Sequence, residues 1–193
     1  MKKLELFYPV KNPFTVTQKF GENLNPLYKQ LGLLGHNGWD IWGNYGQIIR
    51  AAHDGIVTFT GEDGSGGLGV VLRTLDKREY GDITAYYKTI YWHCKPGSFK
   101  VKAGDIVMVG DPLAECDTTG VATGAHLHFG LKPVAKGEQD WEWYNLEPAN
   151  GYNGAIDPAP HWSGMYAEDF KSISSKLKQL IAWFNEILGK LGK

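Results

Sequence analysis

The chain has 193 residues, of which 42% are hydrophobic, 13% aromatic and 21% charged, a composition that fits one globular domain with a short appendage and excludes a disordered chain or a coiled-coil fibre. Twenty basic residues against twenty-one acidic ones leave a formal charge of -1, so no global field draws the protein to nucleic acid or to an anionic membrane. Two cysteines, Cys94 and Cys116, are too few for a disulfide framework or a four-cysteine zinc site, and both a mutual bridge and two buried thiols remain open.

The opening MKKLELFYPVKNPF starts basic, but Glu5, Pro9 and Lys11 interrupt its apolar stretch, so no secretory signal is expected. No apolar run of about 18 residues occurs, so no transmembrane segment is expected. Up to about Gly43 the chain reads as loop, with Pro9, Pro13, Pro26 and the glycine-rich LGLLGHNGWD. From Gly46 onward short β-type runs are predicted at 47–52, 56–60, 70–74, 83–92, 106–109 and 126–131, separated by the turn-forming HDG, EDGSGG, AGD and TTGVATG. No helical pattern of about 10–15 residues falls between them, which predicts a mainly β, antiparallel sheet or sandwich rather than βαβ units. Residues 133–162 read as irregular, with Trp141, Trp143 and Tyr144 as packing or groove-lining aromatics, and close a first domain at 1–162.

Residues 165–193 have a different texture. Phe170, Ile173, Leu177, Leu180, Phe184, Ile187 and Leu191 recur at alternating steps of three and four, the apolar stripe of an amphipathic helix, widened by Ile181 and Leu188. Lys171, Lys176, Lys178, Lys190 and Lys193 make its polar part basic. Three fates stay open for the stripe: docking on the first domain, self-association, or contact with a membrane surface.

Four residues in two clusters carry the chemistry: His36 and Asp40 in HNGWD, and His126 and His128 in HLHF. On a strand, His126 and His128 project from one face while Leu127 and Phe129 enter the core. His36 and Asp40, four apart, would share a helix face, but Gly35 and Gly38 favour a turn. Imidazole and carboxylate are ligand types that zinc accepts, and a catalytic zinc typically takes three protein groups and leaves one position for water. His93, in YWHC, ends a predicted strand and joins the candidate set, whereas His53 in HDG reads as a solvated turn and His161 as a surface or packing residue.

GHNGWDI, AAHDGIV, YWH, VKAGDIVMVGD and TGVATGAHLHF, in this order over residues 14–132, resemble the lysostaphin-type zinc metalloendopeptidases, enzymes that cut peptide cross-links in bacterial peptidoglycan. The resemblance implies an antiparallel β-sheet with a groove holding Zn²⁺, His36, Asp40 and His128 as metal ligands, and His93 and His126 as the catalytic pair, with the roles within that pair open. It implies peptidoglycan peptides as partners and action at the cell wall. Cys94 stands where the family usually has an apolar residue and Gly130 where it often has glutamate. TQKFGENLNPLYKQLGLLGHNG and GAIDPAP are similar to bacteriophage members, which implies an endolysin, virion-associated or released during phage lysis. The rival expectation is a virion structural or wall-binding protein that keeps the fold without turnover.

Overall fold

The computed structural model describes residues 2–11, 14–139 and 142–191. In chain order it has β1 (Leu6–Tyr8), β2 (Val16–Gln18), the one-turn helix α1 (Leu27–Gln30), β3 (Trp39–Trp42), β4 (Ile48–Arg50), β5 (Gly55–Asp63), β6 (Gly67–Thr74), β7 (Arg78–Tyr80), β8 (Ile83–Trp92), β9 (Ile106–Val107), β10 (Pro112–Glu115), β11 (His126–Lys136), β12 (Trp143–Asn145), β13 (Trp162–Tyr166) and α2 (Ala167–Leu191). The architecture is mainly β, as expected. Every strand pair is antiparallel except β1 with β13.

Nine strands form one sheet in the order β2-β3-β11-β8-β6-β5-β9, with β12 beside β11 and β7 beside β8. Period-two alternation sorts its faces. On β8, Ala85, Tyr87, Thr89 and Tyr91 are buried while Tyr86, Lys88, Ile90 and Trp92 are half-buried, and on β11 Leu127, Phe129 and Leu131 are fully buried. The buried face packs on Ile49 and Leu113 of the β4–β10 pair and on Leu6 of β1. Each such side chain contributes about 1.5–3 kcal/mol by leaving water. The other face is left free to carry a groove.

The N-terminal segment differs from its reading as loop. Leu4, Leu6 and Val10 are buried in the core, and Ile41 of β3 sits among them, so tertiary burial overrides the proline and glycine content. Segment 133–162 is also less irregular than expected, because β11 runs on to Lys136 and pairs with β12. Trp143 packs edge-on against Tyr86 and under the Arg73 guanidinium, whereas Tyr144 is exposed and Trp141 lies outside the described residues.

Among the described residues helix α2 docks by its first five, the last of which, Lys171, pairs with Asp111. Ala167 is fully buried, and Phe170 meets Phe7 at 4.3 Å between ring centroids. Lys11 holds Asp169 at 2.9 Å and Arg50 holds Glu168 at 3.2 Å. Further along, Ile173, Leu177, Leu180, Phe184 and Leu188 are each more than half exposed, and the side chains of Lys190, Leu191 and Lys193 lie outside the described residues. Among the described residues no helix is long and apolar enough to cross a membrane.

Candidate active site

Asp40 on β3 stands directly opposite His128 on β11, so the ladder that buries Ile41, Leu127 and Phe129 on one face presents a carboxylate and an imidazole together on the other. His36 reaches the same point from the loop before β3, neither on a helix with Asp40 nor in one tight turn with it. The three donor atoms form a triangle: His36 Nε2 to His128 Nδ1 is 2.9 Å, His36 Nε2 to Asp40 Oδ1 is 3.1 Å, and His128 Nδ1 to Asp40 Oδ1 is 3.2 Å. Gly38 of HNGWD makes this possible, since a Cβ there would lie 2.9 Å from Nε2 of His128 and 2.5 Å from the carbonyl of Phe129.

Two further imidazoles flank the triangle. His126 brings Nε2 to 3.6 Å from Asp40 Oδ1, and its ring centroid is 4.5 Å from that of His93. His93 follows the last residue of β8 and holds φ at 63°, a left-handed conformation that costs a non-glycine residue about 1–3 kcal/mol. Main-chain bonds from Asp117 to its carbonyl (2.9 Å) and from its own N–H to Gly66 (3.1 Å) keep it there.

Orientation comes from backbone carbonyls that the sequence pattern did not reveal. His36, His93 and His126 each turn Nδ1 to a carbonyl, of Lys19 (3.2 Å), Thr119 (2.7 Å) and Gly124 (2.8 Å). A carbonyl only accepts, so Nδ1 carries a proton, and in the neutral ring Nε2 is left as the electron-pair donor.

Electrostatics follows from burial. Burial pushes the Asp40 carboxyl up, but hydrogen bonds and charge from His128 and His36 outweigh it and hold the group well below the usual carboxylate range. Burial lowers His128, against the pull of Asp40, and lowers His93 to about 4 despite its bond to Thr119. Asp40 is therefore ionised and His93 neutral near pH 7.

The five groups open onto a cleft of 770 Å³. Trp92 forms part of its floor, lying so close over β6 that a Cβ on Gly69 would fall 1.7 Å from Cε3 of the indole. Tyr28 of α1, which no motif singled out, also lines the cleft with its ring 5.8 Å from that of His36. Burial and the nearby Asp40 charge push its hydroxyl up to about 12.

The remaining candidates lie elsewhere. His53 is buried rather than solvated: its Nδ1–H donates to Asp54 O (2.8 Å), and Nε2 accepts from the Thr89 hydroxyl (2.8 Å), which sits 3.1 Å from that of Tyr91. His161 packs on the ring of Tyr87. Cys94 and Cys116 are two buried free thiols facing each other across an antiparallel bridge.

The fold matches that of the catalytic domain of the antimicrobial peptidase lysostaphin from Staphylococcus simulans, with a TM-score of 0.57 and 23% identity over 77% of this chain and 92% of that one. The family model of peptidase family M23 matches residues 34–140, more than half of the chain, and the chain belongs to that family. It is 30% identical over 167 residues to the DD-carboxypeptidase/endopeptidase Mpg of Neisseria gonorrhoeae, covering 86% of this chain and 33% of that protein. It is 32% identical over 104 residues to the glycyl-glycine endopeptidase ALE-1 of Staphylococcus capitis, covering 51% of this chain and 25% of that protein. The chain thus spans a third or less of the length of these relatives.

Proposed function

We propose that the protein is a zinc-dependent endopeptidase that hydrolyses peptide cross-links of bacterial peptidoglycan, with residues 1–162 as its catalytic domain. The observation that carries this reading is the triangle of His36 Nε2, Asp40 Oδ1 and His128 Nδ1 with edges of 2.9–3.2 Å. Three electron-pair donors converge there, the charge chemistry of a cation site, and all three lie within 4.8 Å of one another. A tetrahedral zinc with bonds of about 2.0–2.1 Å spaces its ligand atoms about 3.3–3.4 Å apart, close to these edges. The residues therefore fit the ion.

His36, Asp40 and His128 would hold the zinc, which supplies Lewis acidity toward a scissile carbonyl and the attacking water. His93 and His126 do the proton work, each with its Nε2 bare beside the triangle and its Nδ1 anchored by a carbonyl. One accepts the water's proton on its Nε2 and, as the imidazolium so formed, passes that proton to the leaving amine, while the other steadies the oxyanion when it carries a second proton on Nε2 taken from solvent. Asp40 stays ionised throughout. The groove on the open sheet face admits an extended peptide, and membership of family M23 supports the wall as its source. A phage origin, with the enzyme carried on the virion or released at lysis, belongs to the same proposal and rests on the likeness of residues 17–38 and of GAIDPAP.

Digestion of purified peptidoglycans of different cross-link types, with new amino termini read by mass spectrometry, tests the reading. Termini that appear, vanish with a chelator and return with zinc support it. Termini that persist in chelator remove the metal, and none from any wall leaves a wall-binding or structural protein.

A further inference from the structure

Three cations cross the groove-bearing face of the large sheet, one strand apart. Arg73 of β6 stands opposite Lys88 of β8, and Lys88 stands opposite Lys132 of β11. Residues paired across an antiparallel ladder share a face, so all three side chains project from one side. Parity decides which side. Lys132 is four residues from His128 on β11 and Lys88 is four from Trp92 on β8, with unbroken register between the strands, so the row lies on the face that carries the histidine cluster. Four residues of strand put Lys132 about 13 Å from His128.

Like charges directly opposite each other repel, and half-buried cations are costly without a counter-charge. Among the described residues none of the three meets a carboxylate in an ion pair. Asp63 acts on Lys132 only from beyond that range. Gly130, between His128 and Lys132 on the same face, brings no side chain. Nε of Arg73 is buried without a hydrogen-bond partner, its guanidinium held 3.6 Å over the Trp143 ring. Burial and the neighbouring cation both depress Lys88 and Lys132, as expected where a charge lacks its partner.

We propose that Arg73, Lys88 and Lys132 form a subsite for a carboxylate of the peptide whose bond lies at the histidine cluster. This deepens the peptidase reading and rests on it for the identity of the ligand. A peptide running along the sheet advances about 3.3 Å per residue, so a carboxylate some four residues from the scissile bond falls over the row. Wall peptides carry free side-chain and C-terminal carboxylates, and three cations on adjacent strands suit one such group better than a neutral oligoglycine. The subsite would make the enzyme prefer acidic cross-links.

Calorimetric titration of the full chain tests this with two tetrapeptides, one with free carboxylates and one with them amidated, and with inorganic phosphate as a competitor. The free-carboxylate peptide is expected to bind about tenfold tighter, with Lys132→Met and Lys88→Met each erasing most of that preference and Lys102→Met, elsewhere on the surface, retaining it. Lys132→Glu reverses the preference, a gain that misfolding cannot mimic. Equal affinity for both peptides, or a preference that survives Lys132→Met and Lys88→Met, overturns the subsite. Phosphate that binds as tightly as the acidic peptide at the same residues overturns its assignment to peptide carboxylates. Binding needs no turnover, so discrimination in a protein that cuts no wall sinks the peptidase reading alone, and wall cleavage without discrimination sinks the subsite alone.

Discussion

Asp40 Oδ1 lies 3.2 Å from His128 Nδ1 across the β3–β11 ladder, and the same oxygen lies 3.1 Å from His36 Nε2. One carboxylate oxygen thus ties a strand pair to a loop, and structure and chemistry at this point depend on each other.

Replacing that carboxylate tests the dependence. Asp40→Ala is expected to lower zinc affinity by at least about 100-fold and to abolish wall cleavage, since a first ligand matters more than the outer-shell partners whose loss typically costs 10–100-fold. Zinc content after dialysis, measured by atomic absorption, checks it, and full occupancy in the variant would sink the assignment.

The flanking imidazoles should behave differently. His93→Ala and His126→Ala are expected to keep zinc while lowering kcat by about 10²–10⁴, the usual contribution of a positioned acid or base. A variant that keeps full turnover would show that its histidine has no part in the proton transfers.

Gly38→Ala probes packing at the same spot. Its Cβ would meet both the His128 ring and the Phe129 carbonyl, and backbone can yield only by moving the ligands. We expect a stability loss of about 1–3 kcal/mol together with lost metal binding, read by urea denaturation and zinc titration. Unchanged values in both would mean that the loop yields freely.

Acid sensitivity follows from His53. Burial lowers its pKa to about 4 against an ordinary 6.5, although its bond to Asp54 pulls the other way. Between these values the unfolded chain holds a proton that the folded one does not, so stability is full above pH 6.5 and drains away as the pH falls toward 4, by about 3 kcal/mol in all. Urea midpoints at pH 7.5 and 4.5 check the sign, and His53→Gln should flatten the dependence by up to one proton's worth of slope.

The strands that carry His126 and His128 were legible because alternation alone separates Leu127 and Phe129 from the two imidazoles, and β8 was read to its ends for the same reason. Asp40 was legible as a residue but not as part of a strand. β3 is four residues long with glycines close on both sides, and what makes it a strand is the burial of Ile41 between β2 and β11. His53 was misread because an HDG turn looks solvated, while a hydroxyl chain through Thr89 and Tyr91 satisfies it inside the core. The carbonyls of Lys19, Thr119 and Gly124 left no trace in the pattern, since every residue has a carbonyl and only the fold decides which of them aim at an imidazole. The amphipathic stripe of α2 was plain, but a stripe records only that something apolar is wanted, and past Phe170 the domain does not supply it.

The indole of Trp92 pressed onto Gly69 has an evolutionary consequence. No side chain can be added at Gly69 while Trp92 remains, so single-step variation at that position is blocked. Descendants that acquire a new preference at this end are expected to do so by altering the rims, where loops such as the one carrying Val121 and Thr123 border the cleft, while the glycine and the indole pass down together.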